Sequence, residues 1–457
     1  MPGIVTLSPS GDTSGATDAA VINAAFSFTD TDISVQLGPG DWYTNAPLSP
    51  GPGNELAGVK GGMNGFSSTH PAGTVIHPVA AFSGGAVIDM ADGSRGNRIR
   101  DLAILNDLHT RAGLDGITCH RDVNSLWVQR ISICLVTGHG IAYYQGSDGT
   151  DGDALWMERV MIQRPGLNAV HRPPNDSNIT DCHIQYAGQA GDSTNRHGFY
   201  STPNSSGNMC YTACRVDLCV GSAWVIDHKG TYGDATKLTG CSTERNGQSG
   251  VLIVNSSSTG TDWRAPVIIS GCCFEGDGTG TGPGDANHGQ GGEFAGIEVR
   301  GQNRVFISGT ITAVSTTDDP SGAPKYSLAL RQSGSAPGQP ETVEWASGRM
   351  NYSTGQSGQA ILNHSLCDNL MLGETVTQTG GYESTKAVQR FGKVTLKSGS
   401  AKVSTPWAFP TSLVQLTPLS NPAGRLYVSS RTTGSFTITS TASTDTCTVA
   451  WALSPES

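Results

Sequence analysis

Between Asn178 and Glu275 one short apolar and polar phrase returns four times: Ile179-Thr-Asp-Cys-His-Ile, Tyr211-Thr-Ala-Cys-Arg-Val, Leu238-Thr-Gly-Cys-Ser-Thr and Ile269-Ser-Gly-Cys-Cys-Phe. An apolar residue opens each copy and a Cys follows three places on, so each copy reads as one strand in a shared register. The copies lie 32, 27 and 31 residues apart, at Cys182, Cys214, Cys241 and Cys272. A repeat of that size made of strand and turn residues, without helix, predicts a solenoid.

The same pattern extends in both directions, in two alternating families. The first includes Ile99-Arg-Asp-Leu-Ala-Ile-Leu, Leu126-Trp-Val-Gln-Arg-Ile-Ser-Ile, Leu155-Trp-Met-Glu-Arg-Val-Met-Ile and the four Cys copies. The second includes Gly116-Ile-Thr-Cys-His, Gly140-Ile-Ala-Tyr-Tyr, Asn168-Ala-Val-His-Arg, Gly198-Phe-Tyr-Ser-Thr and Ala223-Trp-Val-Ile-Asp-His. They interleave strictly, so one repeat is one coil with at least two strands whose side chains alternate inward and outward. The predicted class is all-β: a right-handed single-stranded parallel β-helix of about nine or ten coils, each strand pairing with its equivalent in the next coil about 4.8 Å away.

Both ends differ from the repeat. Gly11 to Asp18 ends in a Thr/Asp cap, and the residues from Ala19 predict a short helix with Val21, Ala25 and Phe28 on one face. After about Thr385 the chain changes to short alternating strands with Pro and Gly-Ser between them, which predicts a small antiparallel β-sandwich. The expected organisation is a capping segment over 1–65, a β-helix over 66–384 and the sandwich over 385–457.

Composition agrees with a turn-rich solenoid. Sixty Gly and 23 Pro supply tight turns, and the 14% charged residues are too few for disorder by charge repulsion. A net charge of −10 without a Lys/Arg cluster excludes a phosphate-tracking nucleic-acid binder. No run reaches the roughly 18 apolar residues of a membrane span, and Met1-Pro-Gly-Ile-Val-Thr lacks the basic and apolar regions of a signal peptide. Eleven Cys is an odd number, and four share one inward slot, so buried free thiols are expected rather than a disulfide framework. No metal or other cofactor is expected: the Cys spacing lacks a second paired-ligand half for zinc, and Asp148-Gly-Thr-Asp-Gly-Asp153 departs from the calcium-loop order.

Stacking turns the position three after each inward Cys into a vertical ladder: Gln163, Gln185, Asp217, Glu244, Glu275. Three carboxylates on neighbouring rungs raise one another's pKa, which acid/base catalysis can use. Adjacent rungs about 5 Å apart and alternate rungs about 10 Å apart bracket the carboxyl separations of retaining and inverting glycosidases. Asp217, Glu244 and Glu275 are therefore candidate catalytic residues lining a saccharide groove, with His183 and Arg215 in the adjacent outward slot. A solvated acidic stripe is the plain alternative. The second family offers its own outward ladder, His120, Tyr144, Arg172, Thr202 and Asp227, with Tyr200 and His228 nearby, whose planar groups suit sugar stacking and hydrogen bonding. The segment from Gly276 to Gly292 reads as an excursion from one coil, a surface loop or a lid beside a groove.

The Thr-Asp opening, the Val35-Gln-Leu-Gly-Pro-Gly-Asp-Trp-Tyr strand and the Leu56-Ala-Gly turn resemble the start of pectate-lyase-superfamily proteins. The closing Phe436-Thr-Ile-Thr-Ser and Val449-Ala-Trp phrases resemble the C-terminal knobs of bacteriophage tail fibres and tailspikes. Trp224-Val-Ile-Asp-His228 resembles a pectate-lyase signature but carries one extra residue, which argues against lyase chemistry. The resemblance implies a homotrimeric phage tailspike or minor tail protein in the virion, beside other tail proteins. Its ligand would be a host-surface polysaccharide or glycolipid, which it binds and, if it is an enzyme, hydrolyses. A cellular polysaccharide hydrolase or lyase of the same fold, acting outside the cell, and a purely structural virion spike are the alternatives.

Overall fold

Each phrase of the first family is broken by a corner. In the computed structural model Leu126–Gln129 and Ser132–Cys134 are separate strands, and Arg130 between them has φ 50°. The same left-handed corner recurs at Asp101, Arg159, Asp181 and Ala213, and glycine takes it over at Gly240, Gly271 and Gly309. A non-glycine residue there costs roughly 1–2 kcal/mol, which the packing of neighbouring coils must offset. Each coil thus has three strands and three faces, where the phrases set a minimum of two strands. A Cys copy spans a corner instead of forming one strand.

The structure describes residues 3–27, 32–59, 73–107, 112–144, 153–190, 195–201, 207–227, 235–255, 266–277, 294–301, 303–313, 326–331, 342–350, 359–362, 367, 369–378, 381–383, 389–405, 408 and 410–454. Within them the register is parallel throughout the solenoid. On the first face Ile99, Val128, Met157, Ile179, Tyr211, Leu238 and Ile269 form one inward column. On the second, Ile104, Ile133, Ile162, Ile184 and Val216 form another. Ile117, Ile141, Val170, Phe199, Trp224 and Val251 form the third. All are buried in one continuous core. Each such side chain taken from water contributes about 1.5–3 kcal/mol.

Cys182, Cys214, Cys241 and Cys272 are free and buried at the corner between the first two faces. They pack as small apolar groups.

The N-terminal helix runs Ala16–Phe26 and covers the open end of the coils. It starts earlier than the cap pattern implied. Asp18 lies inside the helix and accepts the backbone N–H groups of Ser10 and Tyr43, the N-cap is Gly15 rather than a Thr or Asp, and Asp12 accepts the N–H groups of Ser14 and Thr17 at the entry. Its buried face is Asp18, Ala19, Ile22, Ala25 and Phe26. Val21 points to solvent, because Phe26 and Ile22 reach the core first, and Phe28 lies outside the described residues.

At the other end, Gln389–Thr395, Thr448–Ser454 and Leu413–Pro418 form one antiparallel sheet, and Ser400–Ser404, Ser435–Ser440 and Leu426–Thr432 another. They close over a separate core containing Val403, Phe436, Ile438 and Trp451, with Phe436 edge-on to Trp451 at 5.2 Å. This is a β-sandwich, joined to the β-helix by the parallel pairing of Arg390 with Leu372.

Candidate functional site

The second face carries two adjacent outward columns. One stacks Gln163, Gln185, Asp217, Glu244 and Glu275, and the other His183, Arg215, Ser242 and Cys273. Short strands between two left-handed corners fix both, since a residue cannot shift rung without turning its neighbours inward.

The carboxylates do not form a bare acidic ladder. Asp217 is only 2% exposed. Its Oδ2 accepts from His183 Nε2 at 2.9 Å and from Arg215 Nε at 2.5 Å. Arg215 reaches up one coil, and its Nη2 donates to Glu244 Oε2 at 2.7 Å. The repulsion expected between stacked carboxylates is relieved by this guanidinium standing between two of them. Asp217 Oδ1 is buried with no partner among the described residues. Toward solvent the cluster presents His183, Arg215 and Glu244, with side chains 31%, 51% and 40% exposed. Glu275 sits half-buried on the next rung, with no cationic partner among the described residues. The arrangement offers a buried carboxylate that orients an imidazole and a guanidinium, beside two accessible carboxylates one rung apart.

The third face carries a second cluster. Tyr144 Oη donates to Asp115 Oδ2 at 2.8 Å, and Thr118 Oγ1 donates to the same oxygen at 3.0 Å. Burial pushes the Asp115 carboxyl up to about 6. His171 stacks on His139 at 4.2 Å and on Tyr200 at 5.6 Å, and Tyr200 stacks in turn on His197. His120 lies toward the N-terminal end, bonded to Asp89 at 2.7 Å, and Asp227 ends its strand opposite Val254.

Arg172 stands one residue out of the column that aligns His120 with Tyr144. Ala169, not Asn168, takes the slot of Gly116 and Gly140, since Ile141 pairs with Val170 and Ala142 with His171. Arg172 occupies a left-handed corner at φ 54°, and its Nε has no partner among the described residues. His171 takes the outward position, opposite Tyr200. Thr202, His228, the span 278–293 and most of Asp148 to Asp153 lie outside the described residues.

Asp115, His139, Asn168 and His197 are the residues the repeat reading missed. Each stands two places before the inward apolar residue of a third-face strand, and each is buried. They form a polar ladder in which each side chain accepts the N–H of the next coil. Asp115 Oδ1 accepts from His139 N at 2.6 Å, His139 Nδ1 from Asn168 N at 3.1 Å, Asn168 Oδ1 from His197 N at 2.7 Å, and His197 Nδ1 from Ser222 N at 3.0 Å. An N–H can only donate, so His139 and His197 carry their ring proton on Nε2. Burial pushes His139 down to about 4 and His171 to about 2. The signal was present as the recurrent Asp/His-Gly-apolar phrase, but it reads as a turn until the coils are aligned.

Among the described residues no group of His, Cys, Asp and Glu is placed to hold a metal ion, and no helix is long and apolar enough to cross a membrane.

A parallel β-helix with polar outer columns and a C-terminal sandwich is the class these features define. The family K1 capsule-specific polysaccharide lyase, C-terminal domain, matches residues 387–454, the sandwich. No curated protein sequence matches the chain. Among solved structures, tailspike gp49 of Acinetobacter baumannii bacteriophage Fri1, a capsular polysaccharide depolymerase, is similar at 11% identity and TM-score 0.48, covering 100% of this chain and 84% of that one. A tailspike of E. coli bacteriophage HK620 in complex with a hexasaccharide is similar at 11% identity and TM-score 0.45, covering 99% and 91%. The A-module of the Azotobacter vinelandii mannuronan C-5 epimerase AlgE6 is similar at 14% and TM-score 0.46, covering 84% and 97%.

Proposed function

We propose that the chain is a bacteriophage tailspike or minor tail protein that recognises a host cell-surface polysaccharide and cleaves it on the second face. The observation that carries this reading is the register-locked cluster His183, Asp217, Arg215, Glu244 and Glu275. It sets planar charged donors and acceptors along a flat strand surface at the spacing of stacked rungs, a geometry suited to successive sugar hydroxyls. The match of the sandwich to a domain of a capsule-specific lyase supports a glycan as the ligand.

In this reading Glu244 and Glu275 share the roles of acid/base and nucleophile of a retaining glycoside hydrolase, the nucleophile forming a glycosyl-enzyme as the acid protonates the leaving oxygen, and water then releasing the sugar. Adjacent rungs place them at about the 5–5.5 Å of a retaining pair. Asp217 is a positioning residue: it is buried and already accepts two hydrogen bonds, so it holds His183 and Arg215 toward the glycan. Tyr144, Tyr200, Arg172, His120 and Asp227 on the third face are further ligand-binding candidates. The protein acts as a homotrimer in the virion, beside other tail proteins, since a long flat flank is readily buried by three copies around an axis.

The test is incubation of the protein with host cells and their purified surface polysaccharides, followed by assays for binding, new reducing ends and unsaturated products. Reducing ends that disappear in Glu244→Gln and Glu275→Gln support hydrolysis. Unsaturated ends would replace it with elimination, binding alone would make the protein a receptor-recognition spike, and neither binding nor cleavage would leave a structural spike.

A further inference from the structure

On the outer surface of the first face, away from the columns above, one register line runs Ser34, Glu55, Arg98, Trp127, Trp156. Its lower end opens into a cavity of about 300 Å³ lined by Asp32, Ile33, Ser34, Gly53, Glu55, Gly96 and Arg98. Glu55 is held in place on both oxygens: Oε2 accepts from Ser34 Oγ at 2.6 Å and Oε1 from Arg100 Nε at 2.6 Å. Arg98 is exposed, lies over the Trp127 ring at 5.8 Å, and pairs with no carboxylate among the described residues. Trp127 and Trp156 stack at 4.9 Å with 8° between their planes, and both remain partly open to solvent. Gly53, at φ 75°, keeps the mouth clear, because a Cβ there would fall 2.6 Å from Asp32 Oδ1.

We propose that this cavity is a second glycan site, which takes one neutral hexopyranose unit of a polysaccharide chain. Its volume is at the small end of ligand pockets. The wall alternates carboxylate acceptors with a planar guanidinium, the pairing that vicinal hydroxyls satisfy. Asp32 and Glu55 face Arg98 and an Arg100 that is shared with Asp101, so the site has no excess cation to attract an anionic sugar. The Arg98 and Trp127 ledge continues the line up the helix, where further units of the chain lie against aromatic edges. Two sites on different faces of one rod raise the residence of a long polymer without tightening either contact. The identity of the ligand rests on the glycan reading above, but the site itself does not depend on the second face.

The experiment is ligand-observed saturation-transfer NMR on the full chain with the neutral disaccharides maltose, cellobiose and lactose. Intrinsic tryptophan fluorescence is followed in the same titrations. Transfer from at least one of them is expected in the native protein and in Glu244→Gln, with affinity weakened at least about tenfold in Arg98→Ala and in Glu55→Gln. Arg98 is on the surface, so its variant keeps the fold, which an unchanged melting temperature checks. Absence of transfer from all three sugars overturns the site, as does binding unchanged in Arg98→Ala. Loss in Glu244→Gln alone would move the binding to the second face and equally overturn it. Failure of polysaccharide cleavage with disaccharide binding retained would overturn the catalytic reading and leave this site standing.

Discussion

Arg215 joins two coils by donating to Asp217 on its own rung at 2.5 Å and to Glu244 on the rung above at 2.7 Å. Asp217 is buried and depends on this donor and on His183 for its charge to be tolerated. Arg215→Ala is expected to lower stability by about 1–3 kcal/mol, the cost of leaving a buried acceptor under-satisfied. Asp217→Asn in the same background should recover part of the loss. Chemical denaturation of the single and double variants checks this, and additive losses would mean the two residues are uncoupled.

Burial pushes Asp277 up to about 7, against the hydrogen bonds from Thr243 Oγ1 and from the backbone and side chain of Asn246. The folded protein therefore keeps a proton that the unfolded chain sheds near pH 4. That contribution to stability is present at low pH and is lost as pH rises toward 7, at about 1.4 kcal/mol per unit. Asp277→Asn imitates the protonated acid. Its melting temperature relative to the native protein should climb between about pH 4.5 and 7 and level off above, as scanning calorimetry across that range would reveal.

His139 contributes with the opposite sign. Its ring is held neutral, pushed down to about 4 by burial, with Nδ1 accepting the Asn168 N–H. Below about pH 6.5 the unfolded chain takes up a proton that the folded chain refuses, so this part of the stability falls as pH drops from 6.5 to 4. Asn168 plays the same accepting role one coil on, so His139→Asn should fold and show a shallower acid loss. An acid limb identical to that of the native protein would rule out His139 as its source.

Nine of the eleven thiols are buried, and burial raises the pKa of Cys119, Cys134 and Cys219. Only Cys210 and Cys273 are half-buried. Titration with a thiol reagent should therefore modify two cysteines in the native protein and eleven after denaturation. Fast native reaction of Cys182 or Cys214 would show that the corner column opens.

Truncation of the core column tests the continuity of the solenoid. Ile184→Ala leaves a void between Ile162 and Val216 on adjacent rungs and should cost about 2–5 kcal/mol. A loss far below that would mean the coils collapse locally around the gap.

The sequence by itself determined the solenoid, the antiparallel sandwich and the rung order of Gln185, Asp217, Glu244 and Glu275. Those follow from period-two alternation and from a repeat length that permits one register. It did not reveal that the first-family phrase bends at Asp181 or Ala213, because a left-handed corner at a non-glycine residue has no compositional mark. Nor did it reveal that Asp217 is buried while Glu244 is open, although they differ by one rung in the same column. Which side chain is covered, which pairs with Arg215, and that His139, Asn168 and His197 each accept the backbone N–H of the next coil are decided by contacts between coils about 22 to 32 residues apart, where the tertiary stacking alone sets distance and solvent access.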